Sequence, residues 1–276
     1  MKQALLWITL VLCAPVGSAW DDDLAHQIEA MEHRIQMEPW RADLFAQRAD
    51  LLRRYGRLED ALDDVRQAKS MYPPAENAGL IYARTIRDAD HPYRALVAYS
   101  RFLKIHPENN IAAREQAQLL ALLGHSLHAV RIYDPLISEQ PQPAPELLIA
   151  RHRALLNAGR PQQAIQSLTQ GIERLGPLVS LVLPALEIEL QLGRFDSALA
   201  RIEDLRLRIP RLDAWHLQRA RVLHQAGRKS EAREAYQAAL TKLTTLPRKR
   251  RMTPMAQDMI QSALDGLDDA SHRSSR

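Results

Sequence analysis

The stretch Asp43–Pro73, DLFAQRADLLRRYGRLEDALDDVRQAKSMYP, reads as two antiparallel helices joined by a tight turn at Gly56. The same plan recurs along the chain. The turn glycine returns as Gly124, Gly159, Gly193 and Gly227, with Asp90 holding its place in the second copy, at intervals of 34, 34, 35, 34 and 34 residues. Five positions later every copy carries an alanine: Ala61, Ala95, Ala129, Ala164, Ala198 and Ala232. A third series, Pro73, Pro107, Pro141, Gly176 and Pro210, closes most units. Three series in one register mean a repeat array, in which each helix pair leaves an apolar face that the next pair covers.

The small residues have a physical role, because alanine where two helices cross lets their axes approach closely. The first-helix crossing position reads Ala49, Ala83, Ala117, His152, Leu186 and Ala220. The large position of the second helix reads Val65, Tyr99, Tyr133, Leu168, Ile202 and Tyr236. A further small position, at Ala68, Phe102, Leu136, Gly171, Leu205 and Ala239, is only half kept. On these residues the chain resembles the tetratricopeptide repeat (TPR) family over roughly Pro39 to Leu246. The resemblance implies an all-α fold, a right-handed α-solenoid of about six helix-turn-helix repeats at 39–246.

The ends read differently. Residues 1–19 have the form of a cleavable signal peptide: Lys2, an apolar run from Ala4 to Ala14, then Gly17-Ser18-Ala19 at the cleavage site. The expected location is periplasmic or secreted, with the cut after Ala19. Cys13, the sole cysteine, would leave with the leader, so the mature chain would lack disulfides and thiolate chemistry. Residues 20–38 start with three aspartates and place Leu24, Ile28, Met31 and Ile35 at helical spacing, as a capping helix would. In 247–276, a basic loop precedes Thr253 and Pro254, which read as the N-cap and first residue of a C-terminal capping helix. A disordered tail is expected from Ser271. The proline-rich Gln140–Pro145 coincides with the one-residue insertion and is expected to alter the local superhelix angle, and Pro184 to kink or shift the fifth copy's first helix.

No catalytic motif is present: no nucleophile elbow, no phosphate-binding glycine loop and no His-Glu-x-x-His pair. His125 and His128 lie near one turn without acidic or thiolate companions, so neither a metal site nor a cofactor is expected. The run Arg248, Lys249, Arg250, Arg251 reads first as a solvated loop and next as a contact for an anionic membrane surface or an anionic polysaccharide, while nucleic acid is not an expected partner.

The TPR resemblance places the ligand groove along particular first-helix positions. In the first copy these are Asp43, Ala46, Asp50 and Arg53, and in the second Asn77, Leu80, Arg84 and Arg87. The later copies supply Arg114 and Gln118, then Arg153, then Ala214, Leu217 and Arg221. Arg84, Arg87, Arg114, Gln118, Arg153 and Arg221 are therefore the candidate ligand-binding residues; either the guanidinium groups take an acidic protein or peptide, or the arginines pair with Asp88, Glu115 or Glu146 and simply solvate the face. The functional expectation is a non-catalytic scaffold for protein–protein interaction in a cell-envelope assembly. The alternatives are an accessory subunit of polysaccharide export touching glycan, for which Trp40 and Trp215 are the aromatic candidates although both read as packing residues, and, less favoured, an enzyme.

Overall fold

The computed structural model describes residues 19–72, 76–208 and 214–272. The expected leader up to Ser18, with Cys13, lies outside the described residues, as do Pro73, Pro210 and the residues beyond His272. Every element among the described residues is helical. A leading helix α1 (Ala19–Met37) precedes the pairs α2 (Ala42–Tyr55) with α3 (Leu58–Met71) and α4 (Glu76–Asp88) with α5 (Pro92–Ile105). Then come α6 (Asn110–Leu122), α7 (Ser126–Ser138), α8 (Pro145–Asn157) and α9 (Pro161–Leu175). The last pairs are α10 (Val179–Gln191) with α11 (Phe195–Arg208) and α12 (Ala214–Gln225) with α13 (Lys229–Thr244). A single turn α14 (Arg248–Arg251) and the long α15 (Pro254–His272) complete the chain. The chain divides into two compact units between Leu119 and Leu120, inside α6 and not at the proline-rich stretch.

Each of the six hairpin turns is closed in one way. The residue at the glycine position donates its N–H to the carbonyl three residues back, and the next residue donates to the carbonyl five back. In the first copy these are Gly56 to Arg53 at 3.1 Å and Arg57 to Leu52 at 2.9 Å; in the last, Gly227 to His224 and Arg228 to Leu223, both at 3.0 Å. This is the Schellman closure, which satisfies orphan carbonyls at a helix end and requires left-handed backbone at the turn residue. Gly56 has φ of +90°, and Asp90 adopts +59° with the same two bonds. Aspartate is one of the few side chains that enter this region at modest cost.

The crossing positions are buried as their size requires. All six second-helix alanines, together with Ala49, Ala83, Ala117 and Ala220, are fully buried, and Tyr99, Tyr133, Leu168 and Ile202 are enclosed beside them. Where the further small position holds Phe102, room comes from the preceding helix: a Cβ on Gly79 would stand 2.9 Å from the Phe102 ring. Gly171 makes the same allowance for Leu148, at 2.7 Å.

In the first unit, Leu24, Ile28 and Met31 of α1 join the core of Ala46, Ala49, Leu52 and Ala61. That apolar face is what closes the open side of the first hairpin. In the second unit, Met259, Ala263 and Leu267 of α15 do the same for α12 and α13. Thr253 caps α15, accepting the Ala256 N–H at 3.3 Å, and Pro254 is its first residue. Two expectations at this end are corrected. The basic run is a helical turn, because the amides of Arg250 and Arg251 both find the Pro247 carbonyl, at 2.9 and 3.0 Å. Ser271 and His272 belong to α15 and not to a tail. Pro184 stands in the second turn of α10, which runs through it, since a proline there forfeits a single helical donor. The proline-rich stretch is tied into the second unit by Arg174 of α9, whose guanidinium donates to the carbonyls of Ile137, Gln140 and Pro141.

Candidate functional site

Two cavities open on the faces of the first helices, one in each unit. The first, of about 600 Å³, is lined by Asp43, Ala46 and Asp50 of α2 and by Asn77, Leu80 and Arg84 of α4. These six are groove positions of copies one and two. Met31 and Gln27 of α1 wall one side, and Leu51 and Ile81 extend the apolar floor. The second cavity, of about 390 Å³, is lined by Ala214, Leu217 and Arg221 of α12, opposite Met255, Asp258 and Met259 of α15. Both are lined by apolar and polar side chains together, the build expected where a protein segment seats a side chain.

The first cavity stands at the edge of an ordered charge network. Arg53 of α2 holds Asp50 at 2.9 Å and reaches across to Asp88 of α4 at 2.6 Å. Asp88 also pairs with Arg87, whose Nη1 donates to the Tyr99 hydroxyl at 3.2 Å. The Tyr99 hydroxyl donates to Glu115 of α6 at 2.9 Å, and Glu115 receives a bidentate pair from Arg84, the shorter bond at 2.6 Å. Three arginines therefore meet three carboxylates, and the network is neutral. Burial alone would raise the Glu115 carboxyl, but Arg84, the Tyr99 hydroxyl and Arg87 together hold it below the usual carboxylate range. Burial, then the Glu115 charge, pushes the Tyr99 hydroxyl well above the ordinary phenol value.

This arrangement sorts the candidate residues. Arg84 and Arg87 are committed to internal carboxylates, and only Arg84 lines a cavity. Arg114 and Gln118 are exposed on α6, and Arg114 forms no ion pair among the described residues. Arg153 is exposed on α8, likewise unpaired among the described residues. Arg221 is exposed at the rim of the second cavity and shares it with Asp258. Pairing of these arginines with Asp88 and Glu115 is the alternative that the sequence left open; what the sequence did not show is Tyr99, whose hydroxyl joins Arg87 to Glu115.

The two tryptophans part company. Trp215 is 3% exposed, in the core with Leu186 and Ile202, whereas Trp40 is 71% exposed between α1 and α2 and does not pack. His125 and His128 have ring centroids 6.1 Å apart. No group of three or more potential ligand side chains converges on a metal position among the described residues. No helix among them is long and apolar enough to cross a membrane.

Repeated helix hairpins in one register, with cavities on the faces of their first helices, define a helical repeat protein of the solenoid class. Residues 186–247 match the tetratricopeptide repeat family model. Outside that stretch the helix pairs share the fold of tetratricopeptide-repeat solenoids. Solved structures share the fold at low identity. The C-terminal part of a TPR repeat-containing protein from Cytophaga hutchinsonii superposes with a TM-score of 0.65 at 12% identity, over 87% of this chain and 96% of that one. A TPR protein from Parabacteroides merdae gives 0.51 at 16% identity, over 88% and 93%. A chain of the Naa15/Naa10 complex bound to HypK-THB gives 0.54 at 23% identity over 89% of this chain, which spans only 37% of that one. No curated protein matches the chain.

Proposed function

We propose that the protein is an exported, non-catalytic scaffold of a cell-envelope assembly that recognises another protein through the first-helix face. The observation carrying this reading is the 600 Å³ cavity, with its apolar floor of Ala46, Leu80 and Ile81, at the groove register. Because the adjoining arginines are neutralised from within, a partner is held there by an apolar side chain, with Arg114 the cation left for an acidic group. Binding energy concentrates in a few such buried anchors. Export follows from the apolar leader and its small-residue cleavage site.

The test is site-specific photo-crosslinking in the native cell, with the reactive group at Asn77 or Leu80 in the cavity or at Val97 on the exposed face of α5. One dominant adduct from the cavity positions and none from Val97 is expected. Equal labelling from both faces refutes the groove reading. Sequencing the N-terminus of the mature chain should return Trp20 first, and an intact Met1 would remove the export reading. Exposed Trp40 keeps direct glycan contact as a second reading, since an aromatic face in solvent is the usual platform for a sugar ring. A Trp40→Ala variant with unaltered glycan binding would end it.

A further inference from the structure

We propose that the turn joining the last repeat to α15 docks the protein onto an anionic phospholipid surface. From Ala235 to Gln257 the chain carries Lys242, Arg248, Lys249, Arg250 and Arg251 and no carboxylate, a charge of +5. The whole chain carries +4, so everything outside this segment sums to −1 (4 minus 5). The positive charge of the molecule is thus concentrated in one place.

Internal needs account for part of it. Arg251 donates to the carbonyl of Thr244 at 2.6 Å and so serves the end of α13, where a cation is favourable. Arg248 and Lys249 are exposed and have no partner among the described residues. Both also open the turn α14, whose free N–H groups carry partial positive charge and disfavour them. The acidic residues of α15 do not offset the turn: Asp265, Asp268 and Asp269 begin roughly 16 Å along the helix, and Asp258 lines the cavity with Arg221. A charge pattern that works against its own helix is explained by a counter-charge outside the molecule.

The neighbouring side chains select the kind of counter-charge. Met252 is 63% exposed and Met255 is 75% exposed, on either side of the Thr253 cap. Flexible apolar side chains beside cations suit the headgroup boundary of a bilayer, where they enter while the cations remain at the phosphates. No Phe, Trp or Tyr follows Tyr236, so the stacking platform for a single-stranded nucleic acid or a sugar ring is missing from this end.

The experiment is co-sedimentation of the full chain with vesicles of phosphatidylcholine, with and without phosphatidylglycerol. The zwitterionic vesicles report any contribution of the apolar N-terminal run, so the quantity read is the ratio of the two partition coefficients. Each cation near an anionic surface is worth about fivefold. Arg248→Glu with Lys249→Glu alters four charges and should lower the ratio by roughly several hundredfold, with unchanged helical circular dichroism. Met252→Ser with Met255→Ser should lower binding several-fold while the salt dependence stays the same. A ratio near one for the natural chain, or the same ratio in the charge-reversed variant, overturns the proposal. So does tighter binding to heparin or to single-stranded DNA than to the anionic vesicles.

Discussion

Replacing Gly266 with alanine sets two known magnitudes against each other. Gly266 lies inside α15, where helix propensity alone favours alanine by about 1 kcal/mol. Its neighbour is the ring of Tyr236 on α13, and a Cβ would fall 2.3 Å from Cζ, 2.4 Å from Cε1 and 2.8 Å from Cε2. Favourable carbon–carbon contact needs about 3.5 Å or more. The deficit exceeds an ångström against two atoms and is smaller against the third, and the planar group they belong to moves only as a whole. Tyr236 is buried, with the His224 ring edge-on at 6.2 Å. Overpacking of this kind costs roughly 1–3 kcal/mol, and we expect the clash to prevail, with a net loss of about 1–2 kcal/mol. That corresponds to a fall in Tm of a few degrees, at roughly 2–4 °C per kcal/mol for a unit of this size. Hydrogen exchange should show the α15 amides losing protection before those of α10, because end elements of repeat arrays open first. In a Tyr236→Leu background, a residue type the register accepts at Leu168, the same Gly266→Ala change should stabilise. A rise in Tm on Gly266→Ala in the natural chain would refute the reasoning.

The buried pair in the second unit is the next test. Glu189 is 2% exposed and receives Arg201 at 2.7 and 3.1 Å, so Arg201→Ala should cost about 3–5 kcal/mol in denaturant unfolding, while Arg201→Met with Glu189→Leu should be close to neutral. Asp90→Gly relieves left-handed backbone and should stabilise by up to about 1 kcal/mol, read as a shift of the urea midpoint with unchanged slope. His152 is buried with no hydrogen-bond partner for Nδ1, and burial pushes its pKa below 6.5. Its folded value being depressed, the stability it permits is full above 6.5 and declines as pH falls towards the folded value. His152→Leu should therefore flatten the decline of Tm between neutral and mildly acidic pH, and an unchanged slope would show that the ring does not titrate on unfolding.

The turn and crossing positions were legible because they are local: a helix pair of fixed length needs its left-handed residue and its small residues at fixed offsets. Even Asp90 kept its place by doing a glycine's work. Ala46, Leu80 and Leu217, which the resemblance assigns to the groove, line cavities. What joins one repeat to the next was legible only in part. Gly79 against Phe102 and Arg53 with Asp88 are separated by 23 and 35 residues, and no period in the chain encodes them, whereas Arg84 with Glu115, 31 residues apart, stood among the pairings the sequence left open. The half-kept small position illustrates the point, since Phe102 breaks the pattern until its partner across the interface is known. The basic run was read as a loop because nothing in four successive cations announces a helical turn; the Pro247 carbonyl that closes it does so only in three dimensions.

The ladder of charges from Asp50 to Glu115 has a bearing on how such a chain can change over generations. Repeats are gained and lost by recombination at their own period, and an array whose units are interchangeable tolerates this. Here each of the first three first helices holds one half of a bond whose other half is on its neighbour, through Arg53 with Asp88 and Arg84 with Glu115. Excising the second hairpin would bring Arg53 and Glu115 together in a new register and delete both of their former mates. The order of these three hairpins is therefore locked, and length variation among descendants belongs beyond Leu119.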